Sequence, residues 1–421
     1  MFIHLDLDCF FVSAHRSIDK SLNNIPAAVG GRSNLNIFDR KKAIRHISNS
    51  SGAFVSSILS SNEGKTSKEY FVDDNGRIRG IITTSSYEAR SYGVKTAMSV
   101  NEALMLCPKL KMIPPNYPLY HELSFKLANL LEDKIPSIEQ FSIDEFFGDV
   151  TGWIDDEDIY DFAKGLQDLI QEELGLPISI GIAKTKWIAK LATEYAKPIG
   201  IKIVKENEVD DFINNIPISK FPGIGKGYQG RLKSYGISTL GQIREKRELF
   251  YSWKKPGIQL YNRVCGIERE GISLKKSKQS IGIGRTFDPI LCRIELKRRV
   301  NILCRYLSFL VTKAKVNPQS FFLQIRYEYN IKSKETINTN RLFNEAYLKH
   351  CMTKLFEAND VHPTHQVIQI NISVSNFLEN RQNSLNLFEY ENDLKQKELT
   401  NQIQKLRSKF GIDIIKNASE L

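Results

Sequence analysis

Four carboxylates stand inside apolar runs, where a buried strand offers them no water. The first run is FIHLDLDCFF, with Asp6 and Asp8; the second is FSIDEFF, with Asp144 and Glu145. Residues 1–12 read as one buried strand, so Asp6 and Asp8, two apart, point to the same side. Asp144 and Glu145 are adjacent and would point to opposite faces of a regular strand. They share a site only at a turn or bulge. Ile143, Phe146 and Phe147 imply that the second run is substantially buried. An unpaired buried carboxylate is costly, so a Lys, an Arg or a divalent cation has to answer it. Clustered carboxylates without His or Cys favour Mg2+ or Mn2+ over zinc. Salt bridges at strand ends are the alternative that the residue types alone leave open.

Around these runs, strands and helices alternate up to about residue 203. A strand ends near AAVGG, helical patterns cover 100–106 and 121–133, and 138–150 reads as strand, tight turn, strand. A helix at 157–173 and a strand at 177–182 follow. The fold class is α/β, a mixed unit within a multidomain α+β chain. Residues 33–77, rich in Ser, Asn, Lys and Asp, interrupt this unit. A loop so long is uncommon in a compact domain, so the stretch reads as an insertion, with AFVSSIL and EYFV as strands of a hairpin. Residues 220–243 read as short helices joined by glycine turns. A basic linker, GISLKKSKQS, covers 271–280. Residues 281–378 read strand, helix, strand, strand, helix, strand, a ferredoxin-like order. A tail from about 379 ends in the charged amphipathic stretch KELTNQIQKLRSKFG.

Charge narrows the partner. Among 421 residues, 59 Lys and Arg face 48 Asp and Glu, a net +11. Residues 271–380 alone hold 17 basic against 8 acidic side chains, so a quarter of the chain carries most of the excess. That suits a polyanionic partner, whose binding would weaken steeply with salt, though a basic solvated surface would look the same. No run of about 18 apolar residues is present, so no membrane span is expected. The N-terminus lacks a basic flank, which argues against a signal peptide. Six scattered cysteines without a CxxC pair argue against a disulfide framework and a zinc site, and fit a reducing cytoplasm.

Five motifs in order, HLDLDCFF, SSYEARSYGVKTAM, FSIDEFF, GIAKTKWIAKLATEYAKPIG and FPGIGKG, resemble the Y-family of translesion DNA polymerases. The resemblance covers 1–32 and 78–270 by motif and 281–378 by element order. It implies a right-hand polymerase. The palm would be 1–9 and 116–203, the fingers 10–115 with the insertion, and the thumb 204–270 with a helix-hairpin-helix. The basic linker 271–280, a little finger at 281–378 and a tail at 379–421 complete it. The implied activity is template-directed, damage-tolerant DNA synthesis of low processivity, by a monomer acting on primer-template DNA and dNTP.

The resemblance also implies roles. Asp6, Asp144 and Glu145 would hold two Mg2+ ions, with Mn2+ as a substitute, and Glu145 would stand beside the primer terminus. Asp8 would be a supporting partner only. Phe11 matches a steric gate against a 2′-hydroxyl, and Phe10 and Phe11 both count as nucleotide contacts. Thr84, Tyr87, Arg90 and Lys197 match the nucleotide-binding set; Tyr87 and Arg90 share a helical face, and Arg presents a fork to phosphate. In PGIG, Gly223 and Gly225, with Lys226, would approach a DNA phosphate. Lys275, Lys276, Lys278, Arg285, Arg298 and Arg299 are the candidate phosphate contacts of the linker and little finger. The segment RQNSLNLF places Gln382, Leu385, Leu387 and Phe388 as in a bacterial sliding-clamp-binding peptide. His15 departs from the family, which commonly has Glu there.

Overall fold

The computed structural model describes residues 1–39, 66–73, 75–273, 278–378 and 386–421. The chain forms two units, Met1–Gly31 with Gly64–Lys276, and Arg32–Glu63 with Ser277–Leu421. Among the described residues, no helix is long and apolar enough to cross a membrane.

In the first unit, the strands are β1 (Phe2–Leu7), β2 (Ala27–Gly31), β3 (Ile81–Ser85), β4 (Lys111–Ile113), β5 (Ser137–Gln140), β6 (Glu145–Asp149), β7 (Ile178–Ala183) and β8 (Ile201–Val204). One sheet has the order β5-β6-β1-β7-β8; a smaller one has β3-β2-β4. β1 is central and antiparallel to both neighbours. Its alternation sends Ile3, Leu5 and Leu7 to one face and His4, Asp6 and Asp8 to the other. The strand stops at Leu7, well short of residue 12. Cys9 takes a left-handed backbone, with φ 49°, and Phe10–Ile18 is a helix whose buried side includes Phe10, Val12 and Ala14. The apolar FF pair therefore belongs to a helix, which a short apolar run does not distinguish from a strand.

The helix Lys186–Ala196 lies directly on the large sheet. A Cβ at Gly181 of β7 would stand 2.1 Å from the Ala189 carbonyl oxygen and 2.4 Å from the Thr193 nitrogen. Only glycine permits that approach. The other side of this helix meets the 204–270 region, where Trp187, Ile188 and Leu191 share a core with Leu232, Leu240, Ile243, Phe250 and Val264. The expected hairpin in the insertion is not seen in its second half. Ser67–Phe71 is a short helix, and Tyr70 and Phe71 are buried with Ile82, Val94 and Met112. AFVSSIL lies outside the described residues.

The second unit follows the predicted element order: β9 (Ser280–Ile290), a helix Arg293–Ala314, β10 (Pro318–Tyr327), β11 (Lys332–Asn338), a helix Glu345–Asn359, and β12 (Val367–Phe377). The sheet order is β11-β10-β12-β9, all antiparallel. Phe321, Leu323, Ile325 and Tyr327 alternate inward with Ile370, Ile372 and Val374 beneath the helices. The opposite face carries mostly small and polar side chains, among them Thr286, Gln324, Asn371 and Ser373, with the half-buried Phe322 between them and Lys332 and Lys334 at one edge.

Two additions complete this unit. Ile37 and Phe38, from the start of the insertion, are buried in its core. The segment read as a tail folds here as well, with the helix Tyr390–Phe410 and a buried Ile412. Its charges are sunk and balanced. Arg305, Lys349 and Arg407 face Asp413, Glu420 and Glu345. Arg305 lies 2.7 Å from Asp413 and also pairs with Glu420, and Lys349 lies 2.6 Å from Glu420 and 2.8 Å from Glu345. Arg407 closes on Glu345.

Burial pushes the Glu345 carboxyl up, but Arg407 and Lys349 outweigh it and hold it below its usual value. A depressed folded pKa contributes stability that is complete above the unfolded value, about 4.3, and is lost as pH falls through the folded value. Glu345→Gln leaves two buried cations short of a partner, so it is expected to cost about 2–4 kcal/mol at neutral pH. Denaturant unfolding of the full chain should show that loss at neutral pH, and the gap from wild type should narrow in acid.

Candidate active site

Asp6 and Glu145 sit directly opposite one another across the β1–β6 ladder. Asp144 precedes β6 in a bend, and its carbonyl accepts from the Leu7 backbone N–H at 3.0 Å. The bend frees Asp144 from strand alternation, and Asp144 lies near enough to Asp6 and Glu145 for their charges to interact. Ser142 shapes the bend, its hydroxyl donating to the Asp144 carboxylate.

Each carboxylate already has a partner. The Lys197 ammonium donates to Asp6 Oδ2 at 2.7 Å and to Glu194 at 2.9 Å. Lys190 donates to Glu145 Oε1 at 2.6 Å. Asp8 is fully committed, accepting from the Tyr87 hydroxyl at 2.5 Å, Ser179 Oγ at 2.7 Å and the Ile199 N–H at 2.9 Å. Asp8 thereby ties the end of β1 to the Tyr87 helix and to the loop after Lys197. Among the described residues, no three His, Cys, Asp or Glu side chains are gathered closely enough to hold a metal ion as they stand.

The electrostatics record the crowding. Burial, with Glu145 and Asp144 nearby, pushes the Asp6 carboxyl up to about 7 against the pull of Lys197. Burial and Glu145 also raise Asp144, with Ser142 opposing them. Burial pulls Lys197 down, yet Asp6 and Glu194 more than reverse it and the ammonium is held above its usual range. His4 lies in the same row as Asp6. Burial, then Lys190, Lys197 and Lys186, holds its imidazole well below the ordinary value, and its Nδ1 pairs with Thr193 Oγ1 at 2.8 Å.

Around this centre, Phe11 is half-buried and stacks on Tyr120, ring centroids 4.3 Å apart and 18° from parallel. The His15 Nε2 meets the Tyr120 hydroxyl at 2.8 Å, so the unusual histidine supports the wall behind Phe11. Phe10 is 2% exposed. Its side chain belongs to the core, which corrects the reading of Phe10 as a nucleotide contact. Tyr87 and Arg90 share one helical turn, and the exposed Arg90 guanidinium lies 4.9 Å from the Tyr87 ring centroid. Thr84 is half-buried on β3, opposite Val29.

In PGIG, Gly223 has φ +92°, a left-handed turn that Gly adopts without strain. Gly225 caps the helix Lys226–Ser234 with no side chain covering its first N–H groups, and Gly223, Gly225 and Lys226 are exposed. Lys278 is exposed, whereas Lys275 and Lys276 lie outside the described residues. Three arginines are corrected from open phosphate contacts to framework. Arg285 is 5% exposed, pointing inward in the row Ile281, Ile283, Arg285, Phe287, and donates to the Asn34 and Gly284 carbonyls. Arg298 pairs with Glu295 and donates to the Phe38 and Glu420 carbonyls. Arg299 also pairs with Glu295 and lies over the Phe38 ring at 4.5 Å. Gln382 and Leu385 lie outside the described residues; Leu387 opens a short 3-10 turn, and Phe388 is 98% exposed.

Lys190, Thr193 and Ser142 were not singled out from sequence. The signal was present in KTKWIAKLATEYAK: Lys186, Lys190, Thr193 and Lys197 recur at helical spacing and share one face.

Residues 5–194 match the impB/mucB/samB family, 206–237 the IMS family HHH motif, and 278–387 the impB/mucB/samB C-terminal domain. DNA polymerase IV of Bacillus anthracis is 27% identical over 426 residues, covering 100% of this chain and 93% of that protein. DNA polymerase IV of Shewanella frigidimarina is 30% identical over 343 residues, covering 80% of this chain and 82% of that protein. A solved Y-family DNA polymerase chimera shares the fold with a TM-score of 0.69 at 22% identity, covering 90% of this chain and 99% of its own. An insertion ternary complex of Dbh DNA polymerase gives 0.56 at 22% identity, with the same coverage. Family models, relatives and fold agree, and the chain belongs to the impB/mucB/samB family, the Y-family of translesion DNA polymerases, as a DNA-directed DNA polymerase.

Proposed function

We propose that this polymerase adds deoxynucleotides to a primer 3′-hydroxyl by two-metal phosphoryl transfer, with Asp6, Asp144 and Glu145 holding two Mg2+ ions, or Mn2+ in their place. The observation that carries this is the facing of Asp6 and Glu145 across β1 and β6 with Asp144 in the adjoining bend. The donor set fits, being hard carboxylate oxygens; burial first, and their mutual repulsion only after it, raises the Asp6 and Asp144 carboxyls. When bound, the ions neutralise charge on the attacking and leaving oxygens.

The chain's own groups supply the rest. Lys197, Tyr87 and Arg90 take the triphosphate, Arg90 as a fork and Lys197 as a point charge. Phe11, braced by Tyr120, blocks a 2′-hydroxyl. Asp8 fixes Tyr87 and so the distance between the small sheet and β1. Gly223, Gly225 and Lys226 hold a DNA phosphate through backbone N–H groups, and Lys275, Lys276 and Lys278 screen the backbone beside them. The open face of the second unit's sheet meets the duplex without acidic neighbours in its central rows. Residues 382–388 dock in a sliding clamp, and Phe388, 98% exposed, supports this as an accessible aromatic anchor. The enzyme works as a cytoplasmic monomer, with low processivity when the clamp is absent.

Asp144→Ala or Glu145→Ala should abolish primer extension while leaving primer-template affinity nearly unchanged; extension assays and DNA binding by anisotropy, run on the same preparations, check both halves. Phe11→Ala should raise ribonucleotide incorporation relative to deoxynucleotide incorporation, read from single-nucleotide kcat/KM ratios.

A further inference from the structure

Three neighbouring strands each turn a carboxylate toward one helix. Glu139 on β5 meets Lys186, Glu145 on β6 meets Lys190, and Asp6 on β1 meets Lys197. The lysines are spaced by four and seven along Lys186–Ala196 and the residue after it, one stripe of one helical face. The three pairs are not equivalent. The Lys186–Glu139 pair is sealed, with side chains 6% and 1% exposed, and the Ser273 N–H also holds Glu139 at 2.9 Å. Lys197 divides its contacts between Asp6 and Glu194. Lys190 lies between them, in reach of solvent, with Glu145 at 2.6 Å as its carboxylate, His4 Nε2 at 3.5 Å and the Phe141 ring at 5.0 Å.

Glu145 can give its Oε1 lone pairs at full strength to one cation at a time. We propose that Lys190 is a positioning residue and the competing counter-ion of Glu145. Without metal it neutralises the carboxylate and holds it toward β1, and it must yield that oxygen when a divalent cation arrives, so it sets the cation affinity of the site. This rests on the reading of Asp6, Asp144 and Glu145 as metal ligands. Lys186 performs the same pairing as permanent structure, and so serves as the internal comparison.

The test uses the full chain without DNA or nucleotide. Mn2+ binding is followed by the paramagnetic resonance of free Mn2+, and thermal melting is compared in chelator and in saturating Mn2+. Lys190→Met should melt below wild type in chelator, regain most of the loss with Mn2+, and bind Mn2+ about five- to tenfold more tightly, the scale of a partly exposed ion pair. Lys190→Arg should restore wild-type behaviour in both. Lys186→Met should lose stability that Mn2+ does not return. Mn2+ affinity in Lys190→Met equal to or weaker than wild type overturns the proposal. If that variant does not fold, Lys190→Gln, which still donates to Glu145 without a charge, decides by the same titration. Asp144→Ala separates the two readings. If it binds Mn2+ as wild type does, the metal site itself is wrong, and the role of Lys190 falls with it.

Discussion

The first unit is organised by a charge balance between a sheet and a helix. Strands β5, β6 and β1 present Glu139, Glu145 and Asp6, and the Lys186–Ala196 helix with the following residue answers with Lys186, Lys190 and Lys197. Neither partner would be tolerable alone at this depth. Gly181 makes the arrangement physically available, because any side chain there would lift the helix off β7 and part the charges. The Lys186–Glu139 end is sealed, and the Lys190 and Lys197 end is more accessible. The same helix is therefore both a packing element and the source of the cations that answer these carboxylates.

The second unit solves a related problem differently. One network in its interior joins three cations and three carboxylates from three separate helices and the last ten residues of the sequence. The charges cancel within the core, so the unit can be basic overall and still bury Arg305 and Arg407. It also takes up Ile37 and Phe38 from a segment that leaves the first unit after Gly31. The small polar sheet face stays free of these demands.

Much of this was legible in the sequence because periodicity reports burial. The two-residue spacing of Asp6 and Asp8, the bend needed at Asp144 and Glu145, and the strand–helix order of 281–378 all appear as read. The strand reading of residues 8–12 failed because nothing in CFF announces the left-handed turn at Cys9. The arginine readings failed for a different reason. A charge count does not separate a solvated cation from one buried against a distant carbonyl, although Arg285 falls in the inward row of β9 and could have been placed there. The tail was least legible, since Arg305 meets Asp413 and Glu420 across 108 and 115 residues, and no local pattern encodes such a pairing.

The account stands on the carboxylates of β1 and β6 being the centre of a damage-tolerant DNA synthesis site. Primer extension with Mg2+ and all four dNTPs, on matched templates with and without one abasic site, tests it most directly. The account predicts full extension on the intact template and product longer than the lesion position on the damaged one. Primer-template that is bound but never lengthened on either template would contradict it.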